Sequence, residues 1–321
     1  MTFTDSATVH VVAYALWPTD ISGTATHQSA TAWQDALQAR PHSPALASVA
    51  NTRITDRLVA DMDSACLAHE SVVAQARGWP MACDVRPEAA LLAAQLNMLC
   101  PVDHGWAFID LVHGQFDQGQ IRVSLPPDLT AQESETLRQA MLPFFTEDGI
   151  SLHTVSPGRF LAHATVFKQL PCVSLERVCL RGMHALTETH QVTAQTAAQR
   201  LLRRLQNEMQ MLLYTHALND ERDITINSFW VSGCGDLPTL PHRSVVLHQE
   251  LREPWMHADP AAWALAWQAL AEKIMQPALQ QGWPLVLCSP DHALYLQALP
   301  DHALQRFIRW FKPVSLVRHL S

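Results

Sequence analysis

The chain has 321 residues, 48% of them hydrophobic and 16% charged, with a mean hydropathy of -0.01, so it is able to bury a core and does not have the composition of a disordered chain. A formal charge of -8 and a pI near 6.1 argue against nucleic-acid binding, which needs clustered Lys and Arg; the one dense basic cluster, Arg200, Arg203 and Arg204, is short. No segment is long enough to span a bilayer, and the length leaves one large or two modest domains open. "MTFTDSATVH" lacks the basic n-region of a signal peptide. The apolar run "VHVVAYALW" that follows, Val9 to Trp17, reads as a buried strand ended by Pro18. Helical spacing appears over Thr31 to Gln38 and from Ile54 to about Ala76. It recurs in "RPEAALLAAQLNML", where Pro87 suits a first helical turn.

From Trp106 the period changes. "WAFIDLVHGQFDQGQIRVSL" reads as two strands around a glycine turn. The next segment reads as a helix with Thr130 as N-cap and Glu133 at the capping-box position, stopped by Asp148-Gly149. "ISLHTVSPGRFLAHA" supplies two more strands joined at Pro157-Gly158. Strand, strand, helix, strand, strand is the pattern of a small α+β unit. The helix from about Ala197 to His216 aligns Leu201, Leu202, Leu205, Met209, Leu212, Leu213 and His216 on one face that requires burial. Beyond Asn227, "SFWVSG", "SVVLHQEL" and "WPLVLCS" alternate with a helix carrying Trp263 and Trp267 as core anchors, which implies a parallel sheet. Seven cysteines, scattered and without a C-x-x-C pair, fit the reduced thiols of a cytoplasm.

The stretch "YTHALNDERDITINSFWVSGCG" concentrates polar residues between the long helix and the next strand. Asn219, Asp220 and Arg222 just past a helix, and Asn227 just before a strand, suit a cap and turn. The other reading is that Gly233 and Gly235 end a strand at the carboxyl edge of a parallel sheet, where a ligand approaches the backbone. There is no G-x-G-x-x-G, P-loop or G-x-S-x-G pattern in the sequence.

"LLRRLQNEMQMLLYTHALNDERDITINSFWVSGCG", with "CPVDHGWAFIDL", "FFTEDGISLHTVSPGRFLAH" and "LPCVSLERVCLRG", resembles the RpfE-type regulatory proteins of proteobacteria, a group often described as cofactor-independent phosphoglycerate mutases. More distantly, Asn219, Arg222, Asn227, Gly233 and Gly235 resemble a ligand-binding pattern of the archaeal-type cofactor-independent mutases of the alkaline phosphatase superfamily. Ser232 stands where those enzymes have arginine. Losing a charged bidentate donor weakens an anion site by about 1.5 to 3 kcal/mol.

That family binds two divalent cations, usually manganese, through Asp and His. The resemblance places metal ligands at Glu253 and His257, in an acid-x-x-x-His spacing, and at Asp291-His292. The family's Asp-Gly after its first strand has no counterpart nearer than Asp20. Ser29 and Thr31 are the candidate nucleophiles, and equally ordinary N-caps. The implied architecture is α/β: a mostly parallel, alkaline-phosphatase-like core from 1–98 and 225–321, with an inserted α+β domain over 99–224. The implied function is that of a mutase-like regulatory protein with a degenerate site, binding a small anion or a protein partner. The alternative is a metal-dependent phosphomutase or phosphohydrolase. No nucleic-acid or membrane partner is expected.

Overall fold

In the computed structural model the first apolar run meets the last ones in a single sheet. The structure describes residues 8–16, 32, 35–36, 53–59, 66–79, 86–117, 120–181, 196–237 and 243–297. In chain order the elements begin with β1 (Val9–Val12), β2 (Arg53–Val59), α1 (Ala68–Ala76), α2 (Glu88–Gln95), β3 (Gly105–Asp117), β4 (Gln120–Ser124) and α3 (Ala131–Glu147). Then come β5 (Ser151–Ser156), β6 (Arg159–Ala164), α4 (Leu175–Arg181), α5 (Ala197–Tyr214), β7 (Ser228–Gly235) and β8 (Val245–His248). Helices α6 (Arg252–Met256), α7 (Pro260–Leu270) and α8 (Gln276–Gln280) and strands β9 (Leu285–Cys288) and β10 (His292–Gln297) complete it. Two compact units result, one from Met1–Met62, Leu67–Met81 and Pro241–Ser321, the other from Asp63–Cys66 and Ala82–Leu240.

The first unit is an α/β layer whose sheet has the order β2-β10-β9-β1-β8. Strand β1 runs parallel to both β8 and β9, as the alternation of strands and helices predicts, but β10 is antiparallel to β9 and to β2. The sheet is therefore mixed rather than mostly parallel. The physical reason is local: only Ser289 to Asp291 separate β9 from β10, and a link that short closes a hairpin, whereas parallel strands need a crossover. The expected helix from Ile54 is also replaced at its start, since Arg53–Val59 pairs with His292–Gln297 as a strand and, among the described residues of that stretch, Ala68–Ala76 is helical. Helix α1 packs Ala68, Val72, Val73 and Ala76 against Val9, Val11, Val286, Cys288 and Tyr295.

The second unit is the α+β piece, with strand order β4-β3-β6-β5 and β7 also paired to β3. Helices α3 and α5 cover one face, burying Leu137, Met141, Phe145, Leu202, Leu205, Met209 and Leu213 on Ile109, Leu111, Phe160 and Phe229. Both helices start from capping boxes, Thr130 with Glu133 and Thr196 with Gln199. Helix α2 packs Ala89, Ala90 and Ala93 in a cluster with Trp106 and Leu161. The unit is thus larger than the 99–224 insertion expected. Strand β7, assigned by its sequence to the core, pairs antiparallel with β3 from Ser228 to Gly235, and α2 contacts both strands. Among the described residues no helix is long and apolar enough to cross a membrane.

Candidate functional site

The five residues proposed to hold an anion all lie in the second unit, and most of their side-chain polar groups are spent on the fold, Arg222 Nε being buried without a partner among the described residues. Asn219 closes a loop: its Nδ2 donates to the carbonyls of Leu213 (2.6 Å) and Ile226 (2.9 Å), and its Oδ1 accepts from the Ile226 N–H (2.8 Å). Arg222 donates from Nη2 to Glu133 Oε1 (2.7 Å) and from Nη1 to the Pro127 carbonyl (3.3 Å). Hydrogen bonds from Thr130, then from Arg222, bring the Glu133 carboxyl down to about 2. Asn227 imitates a strand residue, accepting from the Gly114 N–H (2.7 Å) and donating to the Gly114 carbonyl (2.9 Å).

Gly233 has a packing reason as well. Gly233 sits at φ +65°, and a Cβ there would stand 2.7 Å from the Phe108 ring and 3.3 Å from the Ala89 N. A side chain at 233 would collide with the neighbouring strand, so the glycine admits Phe108. Ser232 is buried beside it. Cys234 is buried too, its N–H reaching Cys172 Sγ at 3.4 Å, and burial, followed by Cys172, pushes its thiol well above the ordinary range, against a nucleophilic role.

In the first unit, the carboxyl ends of the parallel strands β1, β8 and β9 form the edge where open α/β sheets place ligands. Asp291 lies there as expected, just past β9 and only 6% exposed, in a turn where Ser289 Oγ accepts from the N–H groups of Asp291 (3.2 Å) and His292 (2.9 Å). Glu253 and His257 do not join it. Their side chains are 69% and 75% exposed on α6 and its C-cap, Glu253 paired with Arg252 at 2.9 Å and His257 Nδ1 against the Glu253 carbonyl at 2.9 Å. No three of Glu253, His257, Asp291 and His292 offer ligand atoms within 4.8 Å of one another. This set does not fit a two-metal centre.

The end of β1 is filled rather than open. Ala13, Tyr14 and Ala15 are fully buried. The Tyr14 ring lies 5.0 Å from Trp255 and 5.6 Å from His69. Tyr14 has φ 59°, a left-handed conformation that a bulky residue holds only when its surroundings impose it. Trp263 and Trp267 impose it, as their indole N–H groups donate to the carbonyls of Tyr14 (2.8 Å) and Ala15 (3.0 Å). Both tryptophans are core anchors, as their spacing predicts. Asp20, Ser29 and Thr31 lie outside the described residues.

Two histidine groups escaped the sequence reading. His10 on β1 and His248 on β8 meet face to face at 3.1 Å between Nδ1 and Nε2, with Trp283 stacked on the far side of His10. In the second unit, His104, His153 and His163 gather beside Trp106. Neither group has a motif: the members of the first are 238 residues apart and become neighbours only through strand pairing.

No family model and no curated protein matches the chain. Among solved structures it is similar to the PH0037 protein from Pyrococcus horikoshii, at 10% identity and TM-score 0.46, with 92% of this chain and 87% of that one covered. It is also similar to the cofactor-independent phosphoglycerate mutase from Thermoplasma acidophilum DSM 1728, at 11% identity and TM-score 0.33, covering 92% and 90%.

Proposed function

We propose that this chain is a phosphoglycerate-mutase-like protein with a degenerate active site, of the RpfE-type regulatory kind, acting in the cytoplasm by binding a small anion or a protein partner. One observation carries the reading. Where the mutases it resembles have an Asp-Gly after the first strand, β1 runs into Ala13, Tyr14 and Ala15, buried under Trp255, Trp263 and Trp267. A two-metal clamp needs converging acidic and imidazole groups at that edge, and Ala13, Ala15 and the indoles there supply none. Consumption of the Asn219 and Asn227 amides by backbone partners supports the same reading.

A metal-dependent phosphomutase or phosphohydrolase is the second reading, favoured by Asp291, a buried carboxylate at a strand end. A coupled assay with 3-phosphoglycerate and manganese separates the two. The expected result is no turnover approaching about 1 per second, the low end of ordinary enzyme rates. Turnover in that range, abolished by Asp291→Ala, overturns the proposal.

A further inference from the structure

The histidine group of the second unit is held from several directions. His163 on β6 lies opposite Trp106 on β3, and the indole meets the imidazole edge-on at 5.0 Å and 72°. On β5, Ser151 is the direct partner of His163 and His153 that of Leu161, so His153 is the diagonal neighbour of His163 on the same sheet face. Its ring stacks on that of His163 at 5.7 Å and 22°. His104, in the turn leading into β3, brings its ring to 5.2 Å from His163. The two Nδ1 atoms of His104 and His163 face each other at 3.0 Å.

Two nitrogens so placed either share a proton or share a cation. Imidazole nitrogens bound at about 2.0 to 2.1 Å to a tetrahedral ion stand roughly 3.3 Å apart, so the observed spacing needs only a slight opening. A neutral imidazole is the form that ligates.

We infer that His104 and His163 hold one divalent ion of the zinc, cobalt and nickel class through their Nδ1 atoms, with His153 as third ligand and water completing the shell. This site lies in a different unit from the β1 edge and does not depend on the function proposed above. The ligand atoms of all three histidines are not yet within 4.8 Å of one another, so His153 has to turn from its stacked position. Its side chain is exposed and His104 and His163 are only half-buried, so the turn and the ion's entry displace no core residue.

The test is a titration of the chelator-treated full-length protein with cobalt(II), read by visible absorption, followed by displacement with zinc. Expected is one equivalent of cobalt with the intense spectrum of a tetrahedral nitrogen site, lost in His163→Ala and in His104→Ala, and weakened at least about tenfold in His153→Ala. The last residue is exposed, so its variant keeps the experiment decisive even where the other two fold poorly. Absence of the spectrum at one equivalent, or a spectrum that all three variants retain, overturns the proposal and leaves a hydrogen-bonded histidine pair.

Discussion

Each amide of Asn219 and Asn227 stands in for a peptide group, and that is why such residues cluster where a chain leaves a helix and enters a strand. Asn227 gives Gly114 the donor and acceptor that a neighbouring strand would have given it. By type alone, an asparagine doing this cannot be told from one facing a ligand, and the sequence correctly leaves both readings standing. Histidines are less legible still. His10 is 8% exposed, its Nε2 has no hydrogen-bond partner among the described residues, and burial, then the neighbouring His248, lowers its pKa from 6.5. A lowered value means that the unfolded chain binds this proton more readily than the folded one. The contribution is therefore fully present above about pH 6.5 and is lost as the pH falls through the folded value. Urea midpoints measured from pH 8 down to pH 5 should fall on the acid side, and His10→Phe, which keeps a stacking ring but cannot titrate, should flatten part of that fall. An unchanged slope in the variant would show that His10 takes no part.

Helix α5 shows which elements a sequence declares. Its apolar residues recur every three or four positions, and Leu202, Leu205, Met209 and Leu213 are the ones buried, while Leu201, Leu212 and His216 at the margins are half-buried. Leu205→Ala or Met209→Ala should cost about 2 to 5 kcal/mol, as both side chains sit at 0% exposure in the core. Denaturant titration of each variant checks this, and a loss under about 1 kcal/mol would mean the helix packs loosely. The Thr130 capping box and the Asp148-Gly149 stop were likewise legible, because caps are written within a few residues. Strand partners are not. The segment "SFWVSG" looks the same whether it lies in a parallel core or beside β3, and "RITDRLV" has apolar spacing that serves a helix until β10 recruits it as a strand. Sites built across strands inherit this blindness, which is why Asp291 was found at a strand end while the two histidine groups were not.

At the scale of the whole molecule, the second unit, apart from Asp63–Cys66, is continuous from Ala82 to Leu240 and closes its own sheet around its own cores. A fragment spanning 82–240 should therefore fold alone and unfold cooperatively in urea, followed by circular dichroism; a gradual, non-sigmoidal loss of signal would show that the unit needs the rest of the chain. The first unit has the opposite character. Strand β1 sits between β8 and β9, paired Val9 to Val245 and His10 to Leu285, so both of its neighbours come from the far end of the sequence. On a ribosome extending the chain at roughly 5 to 20 residues per second, β1 emerges on the order of tens of seconds before either partner exists. During that interval the second unit is complete in length while an apolar strand waits with both edges bare, the condition under which nascent chains associate wrongly. The yield of native protein should therefore rise when holding chaperones are co-expressed, read as the soluble fraction, and an unchanged fraction would show that the bare edges of β1 are not what limits it.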